Sequence, residues 1–151
     1  EVSDRVVVMN EGRIQQIGTP QDVYDHPVNA FVYQFLGNVN LFHGRMDGAR
    51  ALLGPSQLPV PAHGEGWVGA GVAYARPHEI ELFRPRQGEL GIAARVEHLL
   101  AVGPIVRVDL RPDDSDAPIR AEIPREQAAG LALVAGDRVL VRPRQVRVFA
   151  A

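Results

Sequence analysis

The chain has 151 residues, 46% of them hydrophobic and 23% charged, enough for one large domain or a small one with a substantial appendage. A formal net charge of −2 gives no electrostatic reason to expect a nucleic acid or an anionic membrane as partner, and no apolar run reaches the roughly 18 residues a membrane span needs. The absence of cysteine excludes disulfides, thiolate nucleophiles and cysteine-held zinc; all 16 basic residues are arginine, which excludes Schiff-base chemistry and the lysine of a phosphate-binding loop.

The chain opens on Val6, Val7, Val8 and Met9, a continuous apolar run that predicts a strand covered on both faces. No basic segment followed by a longer apolar stretch marks a signal peptide. A hairpin is expected, with strands over 5–9 and 13–17 joined through Asn10-Glu11-Gly12, where the glycine supplies a positive φ. Thr19-Pro20 then starts a short helix, with Thr19 as cap, Pro20 at the first helical position and Asp22 in the first turn. His26-Pro27 ends it. Asn29 caps a second helix over 30–36, with Phe31 and Phe35 on one face and Gly37 as its stop.

From about residue 38 the pattern becomes short strands. Residues 106–111, 119–123, 138–142 and 146–148 alternate apolar and charged side chains, separated by turn signals at Gly103-Pro104, Pro112-Asp113-Asp114, Gly136-Asp137 and Pro143-Arg144. Only 125–133 leaves room for a helix. The spacing predicts a small closed or nearly closed barrel, with 54–71 read as loop because of its prolines and glycines. The chain therefore divides near Gly37, into parts 1–37 and 38–151.

No catalytic constellation stands out. "GEGWVG" at 64–69 spells a dinucleotide fingerprint but lacks the following helix that would hold a pyrophosphate, and reads as loop. The histidines at 26, 43, 63, 78 and 98 lack the i, i+2 or i, i+4 spacing of a local metal site. Asp113-Asp114-Ser115-Asp116 lacks the glycine and distal glutamate of a calcium loop and reads as a solvated hairpin tip. Ser3, Ser56 and Ser115, the three serines, lie in terminal or loop contexts. The densest polar group is Arg76, His78 and Glu79 in "ARPHEIEL", which reads as a polar strand end or as a contact for a partner or anion, since arginine suits oxyanions.

Two stretches carry a resemblance. "SDRVVVMNEGRIQQIGTPQDVYDHPVNAFVYQFLG" (3–37) closely resembles the end of the nucleotide-binding domain of ABC importer ATPases, just after the switch-histidine loop. "ARPHEIEL" (75–82) and "GLALVAGDRVLVRPRQVRVF" (130–149) resemble the transport-associated regulatory domain that follows in that family. "ARVEHLLAVGPIVRVDL" (94–110) is most similar to ATP-binding subunits of sulfate and thiosulfate importers, with sugar and polyamine importers the alternatives. The resemblance implies a mainly β chain: a small OB-like barrel with a regulatory role, preceded by a hairpin and short helices left from an α/β ATPase domain.

It further implies a location on the cytoplasmic, inner face of a bacterial membrane, a second copy of the subunit and membrane-spanning permeases as partners, and ATP and Mg as cofactors of the parent. The Walker A, signature, Walker B and switch-histidine motifs do not occur here, so no catalytic, cofactor-binding or metal residue can be placed and the chain is expected to be no enzyme by itself. Arg76, Arg107, Arg142 and Arg144 read either as solvated strand faces or as the arginines that could receive a sulfate-like anion. The other class kept open is an OB-type ligand or nucleic-acid binder, which would need stacking aromatics in a basic groove, whereas aromatics make up 6% of the residues.

Overall fold

The computed structural model describes residues 5–35, 38–54, 57–63, 66–86, 88–115 and 117–150, with the side chains of Phe35 and His63 outside that description. The chain forms two compact units, Glu1–Asn38 and Val39–Ala151.

In the first unit, β1 (Val6–Asn10) and β2 (Arg13–Gly18) pair antiparallel through a turn in which Glu11 and Gly12 both take positive φ, 52° and 76°. That is the two-residue turn whose twist matches the strands it joins. α1 (Pro20–Asp25) begins as expected: the Thr19 hydroxyl accepts from the Asp22 N–H at 3.1 Å. α2 (Ala30–Phe35) is capped by Asn29, whose Oδ1 accepts from the Val32 N–H at 3.0 Å; the expected stop at Leu36 and Gly37 lies outside the described residues. Paired glutamines explain the spacing between hairpin and helices. Gln16 brackets the proline turn, donating to the His26 carbonyl at 3.0 Å and accepting from the Val28 N–H at 2.9 Å, while Gln15 accepts from the Asn29 amide at 3.0 Å.

The expectation of a first strand covered on both faces is corrected. Val8 is fully buried against Val23 and Val32, but Val7 and Met9 are about half exposed, as are their cross-strand partners Ile17 and Ile14. The helices supply apolar side chains to one face only, so the run of four apolar residues has one covered side.

The second unit holds two five-stranded sheets. β3 (Asn40–Gly48), β4 (Arg50–Leu53), β5 (Leu58–His63), β6 (Trp67–Ala75) and β12 (Val146–Ala150) close a barrel in the order β12-β5-β4-β3-β6. β7 (Ile80–Phe83), β8 (Ile92–Val102), β9 (Ile105–Pro112), β10 (Ile119–Pro124) and β11 (Arg138–Pro143) form the other sheet, in the order β10-β9-β8-β11-β7. A short 3₁₀ turn, Pro77–Glu79, follows β6, and α3 (Arg125–Leu131) precedes β11. The barrel and the strands of 105–150 match the sequence pattern; the second sheet as a separate layer was not expected. One core runs through both, with Leu53, Val60, Val96, Leu110 and Val141 all buried.

Residues 54–71, expected as loop, contain β5 and the start of β6. The prolines are tolerated for a geometric reason. Ala62 donates its N–H to the Ala49 carbonyl at 3.2 Å, so even positions of β5 face β4, and Pro59 and Pro61 fall where an N–H would point to the other side. There β5 meets β12 only at Ala62 and His63. Of "GEGWVG", Gly64 and Glu65 lie outside the described residues, while Trp67–Gly69 open β6, a strand where a dinucleotide fold would need a helix. At Gly44 the β3 and β4 backbones approach so closely that a Cβ would stand 2.3 Å from the Leu52 carbonyl oxygen.

Candidate functional site

The chain crosses between barrel and second sheet at two places, β6 to β7 and β11 to β12, and the structure ties them together. Pro77 occupies the first position of the 3₁₀ turn, where its missing N–H costs nothing. Glu79 then returns to the turn's start: its Oε1 accepts from the Arg76 N–H at 2.8 Å, and its own N–H donates to the Arg76 carbonyl at 2.9 Å. The same residue holds the other crossing. Its carbonyl accepts from the Arg144 N–H at 2.8 Å, and its Oε2 accepts from the Gln145 amide at 3.1 Å. The Arg144 guanidinium adds a hydrogen bond to the His78 carbonyl.

Four of the six candidate residues, Arg76, His78, Glu79 and Arg144, are therefore brought to one corner. Arg76 is buried, 5% exposed; His78 and Arg144 are exposed. Arg142 lies on β11 with its side chain engaged three ways: 3.6 Å from Glu81, 3.4 Å from the Leu90 carbonyl, and 5.0 Å above the Phe83 ring. Arg107 lies apart from the corner, on β9, opposite Leu100 and Glu122; its Nε is buried and makes no hydrogen bond among the described residues.

Sequence reasoning missed three features. Asn40 is buried, and its side-chain amide imitates a strand: it donates to the Arg120 carbonyl and accepts from the Arg120 N–H, both at 2.8 Å. That satisfies a backbone pair on β10, an edge of the second sheet, from a strand of the barrel. Arg84 covers the end of α3, donating to the Leu131 and Ala132 carbonyls, and pairs with Asp137 at 3.0 Å. The Val134 N–H, bonded at 2.9 Å, and then Arg84 hold the Asp137 carboxyl below the usual carboxylate value, against an opposing contribution from burial. A cavity of about 370 Å³ opens between β3 and the starts of β8 and β10, lined by Phe42, His43, Ile92, Pro112, Asp114 and Ser115 among others. Asp114 is the one carboxylate among the described residues lining this largely apolar cavity, and it opposes an anion there. Among the described residues no group of three or more His, Asp or Glu side chains is placed to hold a metal ion, and no helix is long and apolar enough to cross a membrane.

The architecture is a mainly β fold of the OB-like kind. ModG, a cytoplasmic molybdate-binding protein solved with molybdate bound, shares this fold at a TM-score of 0.57 and 18% identity, over 74% of this chain and 96% of its own. Residues 40–82 match the CysA C-terminal regulatory domain and residues 86–144 the TOBE-like domain. The two matches meet near the β7–β8 connection rather than at the boundary between the sheets.

Similarity also extends over nearly the whole chain. The sulfate/thiosulfate import ATP-binding protein CysA of Nitrosomonas europaea is 47% identical over 151 residues, that of Bacillus cereus 48% over 149, and CysA 2 of Shewanella oneidensis 42% over 149. Each alignment covers 99% of this chain and 42% of the relative, so the chain spans less than half the length of these curated relatives.

Proposed function

We propose that this chain is the C-terminal regulatory region of the ATP-binding subunit of an ABC importer for sulfate or thiosulfate. The observation that carries the reading is the conjunction of the CysA regulatory-domain match over 40–82 with identity above 40% along the whole chain to CysA proteins of three bacterial genera. In this reading 1–37 is the end of the nucleotide-binding domain and 38–151 the regulatory domain. The exposed face of Val7, Met9, Ile14 and Ile17 supports it, since a two-stranded sheet with one bare apolar side fits a place against further strands or helices. The parent subunit hydrolyses ATP with Mg, works on the cytoplasmic face of the membrane with permease subunits, and pairs with a second copy of itself. The chain itself supplies no step of that hydrolysis.

The second unit contributes rigidity. Glu79 and Asn40 fasten one sheet to the other, so a push at one face reaches the other without being absorbed in a hinge. Regulation through such a body is a coupling free energy: an effector must favour the resting arrangement of the importer over the transporting one. Among the six candidates, the exposed Arg144 and His78 corner is where a protein partner would make contact.

A chimera tests the reading. This chain would replace the corresponding region of the Nitrosomonas europaea relative, and sulfate uptake would be measured in a bacterium lacking its own ATP-binding subunit. Restored uptake is expected. A chimera that accumulates normally and hydrolyses ATP but supports no sulfate uptake would overturn it.

A further inference from the structure

The register of the second sheet sets three arginines side by side. Arg138 on β11 stands directly opposite Arg95 on β8, and Arg95 stands directly opposite Arg111 on β9. All three are exposed on the same face. Residues opposed in this way have Cβ atoms about 4.5–5.5 Å apart, and like charges so placed repel. A sheet that needed only solubility would alternate signs across its strands, as this face does one row further along, where Asp109 pairs with Arg120 at 3.0 Å.

The flanking carboxylates do not cancel the row. Glu97 accepts from the Arg111 Nε at 2.9 Å and Asp113 is bonded to Arg138, so both neutralise the outer members. Arg95, between two other guanidiniums, makes no ion pair among the described residues. Each guanidinium has five donors in a planar fork, so Arg138 has more donors than its one bond to Asp113 occupies. The result is a row of three arginines whose outer members are each bonded to a carboxylate, while Arg95 at the centre is ion-paired to none among the described residues.

We infer that the Arg138–Arg95–Arg111 row is a binding site for a tetrahedral oxyanion of the sulfate or phosphate class, seated at Arg95. A dianion there turns mutual repulsion into shared charge-assisted hydrogen bonding. The site differs from the Arg76, Arg107, Arg142 and Arg144 set read from the sequence, whose members the structure engages elsewhere or separates. It names a place for the anion contact of the importer reading, but stands on strand register alone; its failure would leave the chimera result untouched.

The test uses the full chain and its Arg95→Thr variant, because threonine suits an exposed strand position and removes only the central charge. In dilute chloride buffer the variant is expected to melt about 1–4 °C higher than the parent, since the repulsion is gone. In millimolar sulfate the parent gains stability and shows saturable heat on titration, with inorganic phosphate as the second arm. The variant loses at least about tenfold in affinity, whereas Arg144→Thr keeps it. Sulfate is also excluded from protein surfaces and stabilises generally, but that effect is common to both proteins. Equal sulfate gains in parent and Arg95→Thr, or no saturable heat from the folded parent with either anion, would overturn the inference.

Discussion

The two units solve the problem of burial differently. In residues 1–38 one buried cluster consists of Val8, Val23 and Val32, with Val6 and Phe31 packed at its side. In residues 39–151 a single core passes through both sheets, from Phe42 in β3 to Val146 in β12. The small unit relies instead on local polar chemistry: the caps at Thr19 and Asn29 and the two glutamines around the proline turn. Local hydrogen bonds fix conformation but contribute only about 0.5–1.5 kcal/mol each, so a cluster this small leaves little margin. The larger unit has an extensive core of its own; the smaller keeps Val7, Met9, Ile14 and Ile17 exposed.

Damage to the shared core should break this contrast most plainly. Leu110→Ala removes a fully buried side chain and is expected to cost the second unit about 2–5 kcal/mol, seen as a lower denaturant midpoint. Val23→Ala should leave that transition unmoved while weakening amide protection in 1–38. A loss of stability in both units from either substitution would show that they fold as one.

The ties between the sheets come next. Glu79→Gln keeps the acceptor for the Arg76 N–H but sets an amide against the Gln145 amide, and should cost about 1–3 kcal/mol. Asn40→Ala leaves the Arg120 N–H and carbonyl without their partner and should cost a similar amount. If either change is neutral, the sheets are held by apolar packing alone.

How much of this was legible in the sequence depends on how far apart the interacting residues lie. The hairpin at Asn10-Glu11-Gly12 and the caps at Thr19 and Asn29 are short-range, and each was readable. The strands of 105–150 were readable because each has one face in the core and one outside. β5 was not, because its prolines are harmless only given which way Ala62 faces β4. Asn40 and Arg120 lie 80 residues apart, and nothing local distinguishes Asn40 from the loop-like Asn38 before it. The arginine row exists only through register, which alternation along single strands does not reveal. Of the corner, the sequence marked Arg76, His78 and Glu79 as one polar group, but not that Glu79 holds Arg144 and Gln145.

The smallest expected effect concerns pH. The Asp137 carboxyl is held below its ordinary value in the folded chain, by the Val134 N–H first and Arg84 after it. A depressed folded value means that the contribution is complete above the unfolded value of about 3.9 and disappears as pH falls through the folded one. Asp137→Asn should therefore be slightly less stable than the parent at neutral pH, with the difference closing in strong acid. A difference that stays constant from pH 7 to pH 2 would remove the carboxylate's charge from the account.

Hydrogen exchange along the whole chain tests the contrast between the units most directly. The account predicts slow, near-global exchange for β8, β9 and β11 and for the barrel strands β3 and β6, with β1, β2 and the helices of 1–38 exchanging far faster. Equal protection across both units, lost together as denaturant is added, would contradict it.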